Sequence, residues 1–490
     1  MTDIELTDMK IGIFSFFAGA GFLDLGFETT HGFENLFVNE YHKPFMDVYI
    51  SARKELKIKE PIYGHNTDNI CAFTEKDKEY KLKDNIKESK KNFDLIGFIG
   101  GPPCPDFSVG GKNKGIEGEN GKLSGTYIEL IARNQPDFFL FENVKGLYRT
   151  KKHKTFFDEV KLKLILNGYY LSEKLINAIE FGAPQDRERI ILIGFKRSIL
   201  TDLGMELNGS PILKSFDWNA KIVYQAKEIL NRNWPTQEPY EESCDRPMPK
   251  GIEEKLTVQY WFDKNNVENH PNSMHYFQPR AGLVKFQSIQ EGDDLKKSYK
   301  RLHRWRYSPT AAYGNNEVHL HPYKPRRISA AEALAIQSLP KNFIIPEHIS
   351  LSNMFKTIGN GVPYMAAKGL AETIIEFIEK VKNQEFILKP KWFSEILAFK
   401  SLIIKLINQE NQANHFNLGI NMRKLSASNL VTFINQLDKK QVYNYISPKT
   451  KGLIRIEGVD LPEGPIRIKR WNPSEGETES QKKLKVFHLN

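Results

Sequence analysis

Little in this chain lends itself to cross-linking or to metal binding. Three cysteines occur in 490 residues, Cys71, Cys104 and Cys244, with no Cys-x-x-Cys spacing and no even framework. That pattern excludes a disulfide scaffold and a zinc ribbon, fits a reducing compartment, and leads us to expect no metal. No apolar run approaches the ~20 residues that cross a bilayer, so no membrane role is expected. The acidic start, Met1-Thr-Asp-Ile-Glu-Leu-Thr-Asp, lacks the apolar stretch of a leader peptide, and a cytoplasmic location follows as the expectation. There is no Gly-x-x-x-x-Gly-Lys-Ser/Thr run, so nothing points to phosphate cleavage. Internal repeats and long low-complexity tracts are also missing.

What is present is core-forming material in quantity. Hydrophobic residues make up 40% of the chain and aromatics 12%. At this length, two or three domains are expected. The formal charge of +10 is compatible with a polyanionic partner, though basic proteins without one are common.

The first 195 residues alternate short apolar strands with amphipathic helices. Lys10–Phe16, Asn35–Glu40, Phe93–Ile99, Asp137–Glu142 and Arg189–Phe195 read as strands, with a helix from about Leu23. Strands spaced by helices imply βαβ units, hence an α/β fold with a doubly wound, mostly parallel sheet. The pattern breaks down from about Lys196 to Lys324, where Trp, Tyr, His, Asn and Pro interleave with basic residues. Helices return at Ser329–Ser338 and after Pro363. From Glu385 to Asn490 there are 17 Lys+Arg against 10 Asp+Glu, so +7 of the chain's +10 lies there. Phe393–Ile407 has apolar residues at helical spacing, and Gly452–Val459 alternates like a short strand.

Four groups of residues carry candidate chemistry. Phe17-Ala18-Gly19-Ala20-Gly21 follows the first strand and opens the first helix, where glycine lets backbone approach a ligand. Glu40 ends the second strand, where a carboxylate can hold two ribose hydroxyls. Asp68 closes the expected third strand, where an acceptor can meet an adenine amino group. Together these describe a nucleoside ligand across the carboxyl edge of a parallel sheet. Alone, either carboxylate reads equally as a loop residue or a helix cap.

Cys104 sits in Gly100-Gly101-Pro102-Pro103-Cys104-Pro105, directly after an apolar strand. Proline fixes φ and removes donors, so the thiol's approach is set by the main chain, which suits a nucleophile. A free cysteine is otherwise a common core filler. Glu142, on the end of an apolar strand, can be a buried proton donor with a raised pKa. Arg187 and Arg189 fall on one strand face by period two and can clamp a carboxylate, base or phosphate. Between Gly110 and Lys122 lie five glycines and three lysines, which read as a mobile cationic loop fit to close over an anionic polymer.

In order and spacing these motifs resemble the DNA cytosine-5 methyltransferase family over roughly residues 10–380. Phe17–Gly21 resembles its cofactor loop and Pro102-Pro103-Cys104 its nucleophile motif. Glu142-Asn143-Val144 and Gln185-x-Arg187-x-Arg189 resemble its two pocket motifs. Arg326-Arg327-Ile328-Ser329 looks like the element bracing the recognition domain, and Gly359-Asn360-Gly361-Val362-Pro363 like the late motif that completes the cofactor site. Ser15, Phe22 and Gly361 depart from the pattern, where the family often has Asp, Gly and Ser.

The resemblance implies Cys104, Glu142, Arg187 and Arg189 as catalytic residues. It implies Phe17, Ala18, Gly19, Gly21, Glu40, Asp68, Pro102, Asn360 and Val362 as binding S-adenosyl-L-methionine. It implies a covalent Cys104 adduct on a cytosine flipped out of double-stranded DNA. The divisions expected are a catalytic and cofactor domain (1–197), a target-recognition domain (198–325), a return to the catalytic domain (326–384) and a C-terminal appendage (385–490). The setting implied is a monomeric bacterial or phage modification enzyme, nucleoid-associated, with a restriction endonuclease acting on the same site without a stable complex. An RNA (tRNA) cytosine-5 methyltransferase of the same fold would use the same residues, but the long insert favours a duplex DNA reader. A catalytically silent DNA-binding regulator would have no need of Cys104, Glu142 and both arginines. An amino-methyltransferase is disfavoured by the lack of an Asp/Asn-Pro-Pro-Tyr/Phe motif.

Overall fold

The computed structural model describes residues 9–103, 119–148 and 151–382, save 206, 208, 209, 280, 281, 297, 312 and 314–316, together with two strands at 442–446 and 453–457. Its first half is an α/β unit. In chain order it runs β1 (Ile11–Phe16), α1 (Phe22–Glu28), β2 (Phe33–Asn39), α2 (Lys43–Glu55), β3 (His65–Asn66), α3 (Lys76–Ser89), β4 (Leu95–Gly100), α4 (Glu119–Asn134), β5 (Phe138–Val144), α5 (Lys151–Leu166), β6 (Tyr169–Asn177) and β7 (Glu188–Lys196). The rest runs α6 (Arg197–Asp202), α7 (Ala226–Leu230), α8 (Val258–Lys264), α9 (Leu283–Ser288), α10 (Ala330–Ile336), α11 (Leu351–Asn360) and α12 (Tyr364–Lys382), then β8 (Val442–Ile446) and β9 (Leu453–Glu457).

Seven strands form one sheet in the order β3-β2-β1-β4-β5-β7-β6. β7 runs antiparallel to both neighbours, β5 and β6, and the other pairs are parallel. Strand order reverses between β1 and β4, so a crevice opens there at the carboxyl edge. The doubly wound sheet expected from the sequence is present. β6 was not among the expected strands, because its middle carries Ser172, Glu173 and Lys174 and breaks the apolar run.

Alternate strand residues feed opposite faces, as a period of two requires. Ile11, Ile13, Leu95, Phe138, Leu140, Ile191 and Ile193 pack beneath α1 and α12. Phe14, Phe16, Ile96, Phe98, Phe139, Phe141 and Leu192 pack beneath α3, α4 and α5. With both faces covered, these strands read as continuous apolar runs rather than alternating ones.

The long insert does not stand apart from this core. Leu213 and Phe216 join the cluster beneath α12. Trp261, Phe262, Leu302 and Val318 share a second core with Leu25 of α1, Val48 and Ala52 of α2, and α10 and α11. α10 begins with a capping box: Ser329 Oγ accepts from the Glu332 N–H, and the Glu332 carboxylate accepts from the Ser329 N–H. Arg326 grips that carboxylate with two donors at 2.7 and 2.9 Å. The strand read at Gly452–Val459 is β9, paired antiparallel with β8. The helical stretch read at Phe393–Ile407 lies outside the described residues.

α1 and α12 pack against each other over the sheet's first face, backbone to backbone at Gly26. A Cβ built on Gly26 would lie 2.4 Å from the Ala367 carbonyl carbon and 2.5 Å from the Lys368 nitrogen. Gly26→Ala gains helix propensity of roughly 1 kcal/mol, yet backbone cannot yield as a side chain can. We expect a net loss on the order of 1–3 kcal/mol in urea unfolding. A variant as stable as the parent or more so would show that the two helices separate freely.

Candidate active site

The loops at the carboxyl ends of β1, β2, β4 and β5 bring most of the expected residues together. After β1 the chain turns through Phe17, Gly19 and Gly21, all with positive φ (55°, 59° and 76°). The Gly21 N–H donates to the Ala18 carbonyl at 2.8 Å, and the Ala18 N–H donates to the Asn39 carbonyl at 3.1 Å. The loop is thereby closed on itself and tied to the end of β2. Glu40 stands one residue past β2. Its carboxylate accepts from the Gly19 N–H at 2.9 Å and from the His42 N–H at 2.7 Å. Burial raises its pKa above the usual carboxylate range, against the pull of those two backbone donors and of Lys356.

Asp68 lies two residues beyond β3, not on its end, and is half-buried. It pairs with Lys78 and accepts from the Asn66 amide at 2.8 Å; the Lys78 contact, then Asn66, lowers its pKa. The Asn39 amide donates to the Asp68 carbonyl at 2.9 Å, holding that loop beside β2.

After β4 the chain passes directly over Glu142. A Cβ built on Gly101 would sit 2.6 Å from Glu142 Oε2, so only glycine allows that approach. Pro102 and Pro103 follow, and Pro102 is buried. Cys104 and the cationic loop through residue 118 lie outside the described residues; Gly121 and Lys122, expected in that loop, belong to α4.

Glu142 is itself buried, and Arg189 Nε donates to its Oε1 at 2.9 Å. This contact follows from topology. β7 is antiparallel to β5, so its first residues lie beside the last residues of β5, with Arg189 opposite Val144. Burial raises the Glu142 pKa, opposed first by the charge of Arg189 and then by that of Arg187.

The two arginines differ from the co-facing clamp expected. β7 starts at Glu188, so the period-two relation does not reach back to Arg187. Its buried guanidinium donates to the carbonyls of Ala311 at 3.0 Å and Gly359 at 2.7 Å. Arg187 therefore joins β7 to the insert and to the segment before Asn360, and acts on Glu142 through charge alone among the contacts described.

Asn360 is exposed at the end of α11, while the side chain of Val362 is buried in the core beneath α1. Gln337 holds this segment from below, donating to the carbonyls of Ile358 and of Gly361 (3.3 Å). Gln185 in turn donates to Gln337 at 3.1 Å. Two departures from the family pattern prove to be one packing unit. A Cβ on Gly361 would lie 2.1 Å from the Phe22 ring, so the ring occupies the space a residue-361 side chain would need.

Sequence reasoning missed a buried polar cluster under the glycine loop. Asp24 and Glu28, one turn apart on α1, share donors from Tyr49 and Asn35 at 2.9–3.3 Å. Arg53 of α2 forms a salt bridge with Glu28 at 2.8 Å, both side chains nearly fully buried. Burial, then Glu28, pushes Asp24 up to about 6. The available signal was charge at core-facing helix positions: Arg53 is four residues from Tyr49, on the stripe with Phe45, Val48 and Ala52.

The β1–β4 crevice thus brings together a glycine turn, a buried carboxylate just past β2 and a buried Glu–Arg pair on β5 and β7. Residues 11–376 match the family described as C-5 cytosine-specific DNA methylase. The chain belongs to that family, and it is a DNA cytosine-5 methyltransferase. It is 59% identical over 372 residues to the Type II methyltransferase M.NmeDI of Neisseria meningitidis serogroup C, covering 76% of this chain and 84% of that one. It is 29% identical over 398 residues to the Type II methyltransferase M.FnuDI of Fusobacterium nucleatum, covering 76% and 97%. Among solved structures, one titled as a DNA modification methyltransferase of an E. coli prophage shares the fold, with a TM-score of 0.51 at 21% identity, covering 76% of this chain and all of that one. Among the described residues no helix is long and apolar enough to cross a membrane, and no group of three or more His, Cys, Asp or Glu is placed to hold a metal.

The raised Asp24 pKa has a stability consequence of definite sign. Folding favours its protonated form, so the folded state binds more protons than the unfolded between pH 4 and 6. Stability is therefore lost as pH rises through that window. Asp24→Asn keeps the acceptor that Tyr49 and Asn35 use and removes the buried charge. We expect its stability relative to the parent to climb across pH 4–6 by on the order of 1–3 kcal/mol and stay level above. A difference that does not vary with pH in paired thermal melts would refute this.

Proposed function

We propose that this enzyme methylates carbon 5 of a flipped-out cytosine within a specific duplex sequence, by way of a covalent Cys104 adduct, with S-adenosyl-L-methionine as donor. The observation that carries the reading is Gly101 stacked over the buried Glu142–Arg189 pair. It delivers the segment leading into Cys104 to a carboxyl group with a raised pKa.

The residues present fit the donor. A Cβ built on Gly19 meets nothing within 4 Å, so there is room beside Glu40 for a ligand. Each Glu40 oxygen accepts one backbone N–H and keeps a lone pair for a ribose hydroxyl. Phe17, Ala18, Gly19 and Gly21 would hold the donor from β1 and Pro102 from β4. Asp68 would meet the adenine, and Asn360 with the Val362 backbone would close the site. When bound, the donor supplies an electrophilic methyl group.

The other chemistry belongs to this chain and its substrate. The Cys104 thiolate bonds to carbon 6 of cytosine, and the carbon 5–carbon 6 π pair moves onto carbon 5, making it nucleophilic. Glu142, whose pKa burial raises, hydrogen-bonds the ring's N3 and amino edge and stabilises the charge that develops on the ring. Arg189 orients Glu142, and Arg187 adds positive field. After substitution at carbon 5, loss of its proton and expulsion of the Cys104 thiolate restore the double bond. None of these atoms is reachable in stacked duplex, so the base must leave the helix. The insert at 198–325 supplies target recognition, and the appendage at 385–490 adds phosphate contacts or bracing. Its setting is a bacterial or phage modification system, in which the monomer protects the sites that a separate endonuclease cuts.

The test is single-turnover methylation of duplex DNA. Cys104→Ala should abolish methyl transfer while DNA and S-adenosyl-L-homocysteine still bind, and the parent should form a trapped protein–DNA species on 5-fluorocytosine duplex. Full transfer by the alanine variant would sink the covalent route. Glu142→Gln should slow the step by roughly two to four orders of magnitude. An unchanged rate would remove Glu142 from the pocket.

A further inference from the structure

The buried cluster beneath the glycine loop contains one cation, Arg53, and its guanidinium does more than neutralise Glu28. From α2 it passes under the loop, and its Nη1 donates to the Ala20 carbonyl at 3.0 Å while Nη2 donates to the Gly21 carbonyl at 2.5 Å. Its Nε and Nη2 also donate to Glu28 at 3.0 and 2.8 Å. The plane lies over the Tyr49 ring, 3.9 Å from its centroid.

These two carbonyls stand at the end of the glycine turn, where the chain enters α1. Gly21 is the left-handed residue before α1, and a Cβ there would lie 2.4 Å from the Tyr49 ring and 2.6 Å from Arg53 Nη1. The loop is thus seated directly on the Arg53–Tyr49 stack. Its other side offers the Gly19 N–H to Glu40. The loop is a thin layer between two buried groups, one below that fixes its carbonyls and one above that faces the ligand.

We propose that Arg53 is a positioning residue for the methyl donor: by holding the Ala20 and Gly21 carbonyls it fixes the turn that aims Phe17–Gly19 at the cofactor, and so sets cofactor affinity without taking part in DNA binding or methyl transfer. The proposal rests on the reading that this loop and Glu40 hold S-adenosyl-L-methionine. Lysine is a poor substitute here. An ammonium is a point charge without the planar fork that serves two carbonyls and a carboxylate at once. Because the guanidinium is charged and buried, each lost contact is a charge-assisted one.

The experiment uses the full chain with S-adenosyl-L-homocysteine as calorimetric probe and cognate duplex as a separate ligand. Arg53→Lys should raise the dissociation constant for the probe by about tenfold or more, the equivalent of one lost charged hydrogen bond. It should leave duplex affinity unchanged, and at saturating S-adenosyl-L-methionine the single-turnover rate should match the parent. A second variant, Arg53→Met with Glu28→Gln, removes the ion pair as a unit and should show the same selective loss. If either folded variant binds the probe as the parent does, or loses duplex affinity in equal measure, Arg53 is only scaffold and the proposal fails. Glu40→Gln separates the two levels of inference. If it weakens probe binding while the Arg53 variants do not, the loop reading stands and the Arg53 role falls. If it too binds the probe unaltered, the loop reading itself is wrong.

Discussion

Covering both faces of one sheet leaves its carboxyl edge as the place where polar chemistry can be assembled, and the rest of this molecule follows from that constraint. α1 and α12 seal one face and α3, α4 and α5 the other. The central strands β1, β4 and β5 are consequently apolar over most of their length, and polar groups gather where the parallel strands end. Glu40 past β2, the Gly101 turn past β4 and Glu142 near the end of β5 are products of the same rule. Reversing β7 completes it, because an antiparallel strand delivers its first residues, with Arg189, to the edge where its neighbours deliver their last.

The parts legible in the sequence are those governed by local pattern. Buried strands announce themselves as apolar runs, and glycine and proline mark the turns after β1 and β4. Hence the sheet, the glycine loop, Glu40 and Glu142 could be read in advance. β6 could not, since Glu173 and Lys174 at its middle interrupt an edge strand whose Leu171 and Ile176 are buried. The division of labour between Arg187 and Arg189 was hidden as well. It depends on where β7 begins and on Ala311 and Gly359, more than a hundred residues away in sequence. Long-range partners of this sort leave no periodic trace.

Two buried Glu–Arg pairs sit within this one site. Glu142 is paired with a single close arginine, and burial raises its pKa against that charge. Glu28 is locked to Arg53, and burial, then the neighbouring Glu28, raises the pKa of Asp24. Both carboxylates thus sit buried against an arginine, one at the crevice and one beneath the glycine loop.

The contact between Phe22 and Gly361 also bears on how this sequence could have arisen. With glycine at 22 and serine at 361, the commoner arrangement in the family, the two positions are compatible. So are phenylalanine and glycine, the arrangement found here. A phenylalanine arriving first would meet the serine Cβ inside van der Waals contact, at the joint between the cofactor loop and the segment around Asn360. Loss of the side chain at 361 opens space and costs little by comparison. While the ring is seated, a side chain at 361 has no room, so the pair tolerates change at 361 only together with change at 22. A packing contact of two residues therefore works as a latch on the joint between the glycine loop and the segment around Asn360.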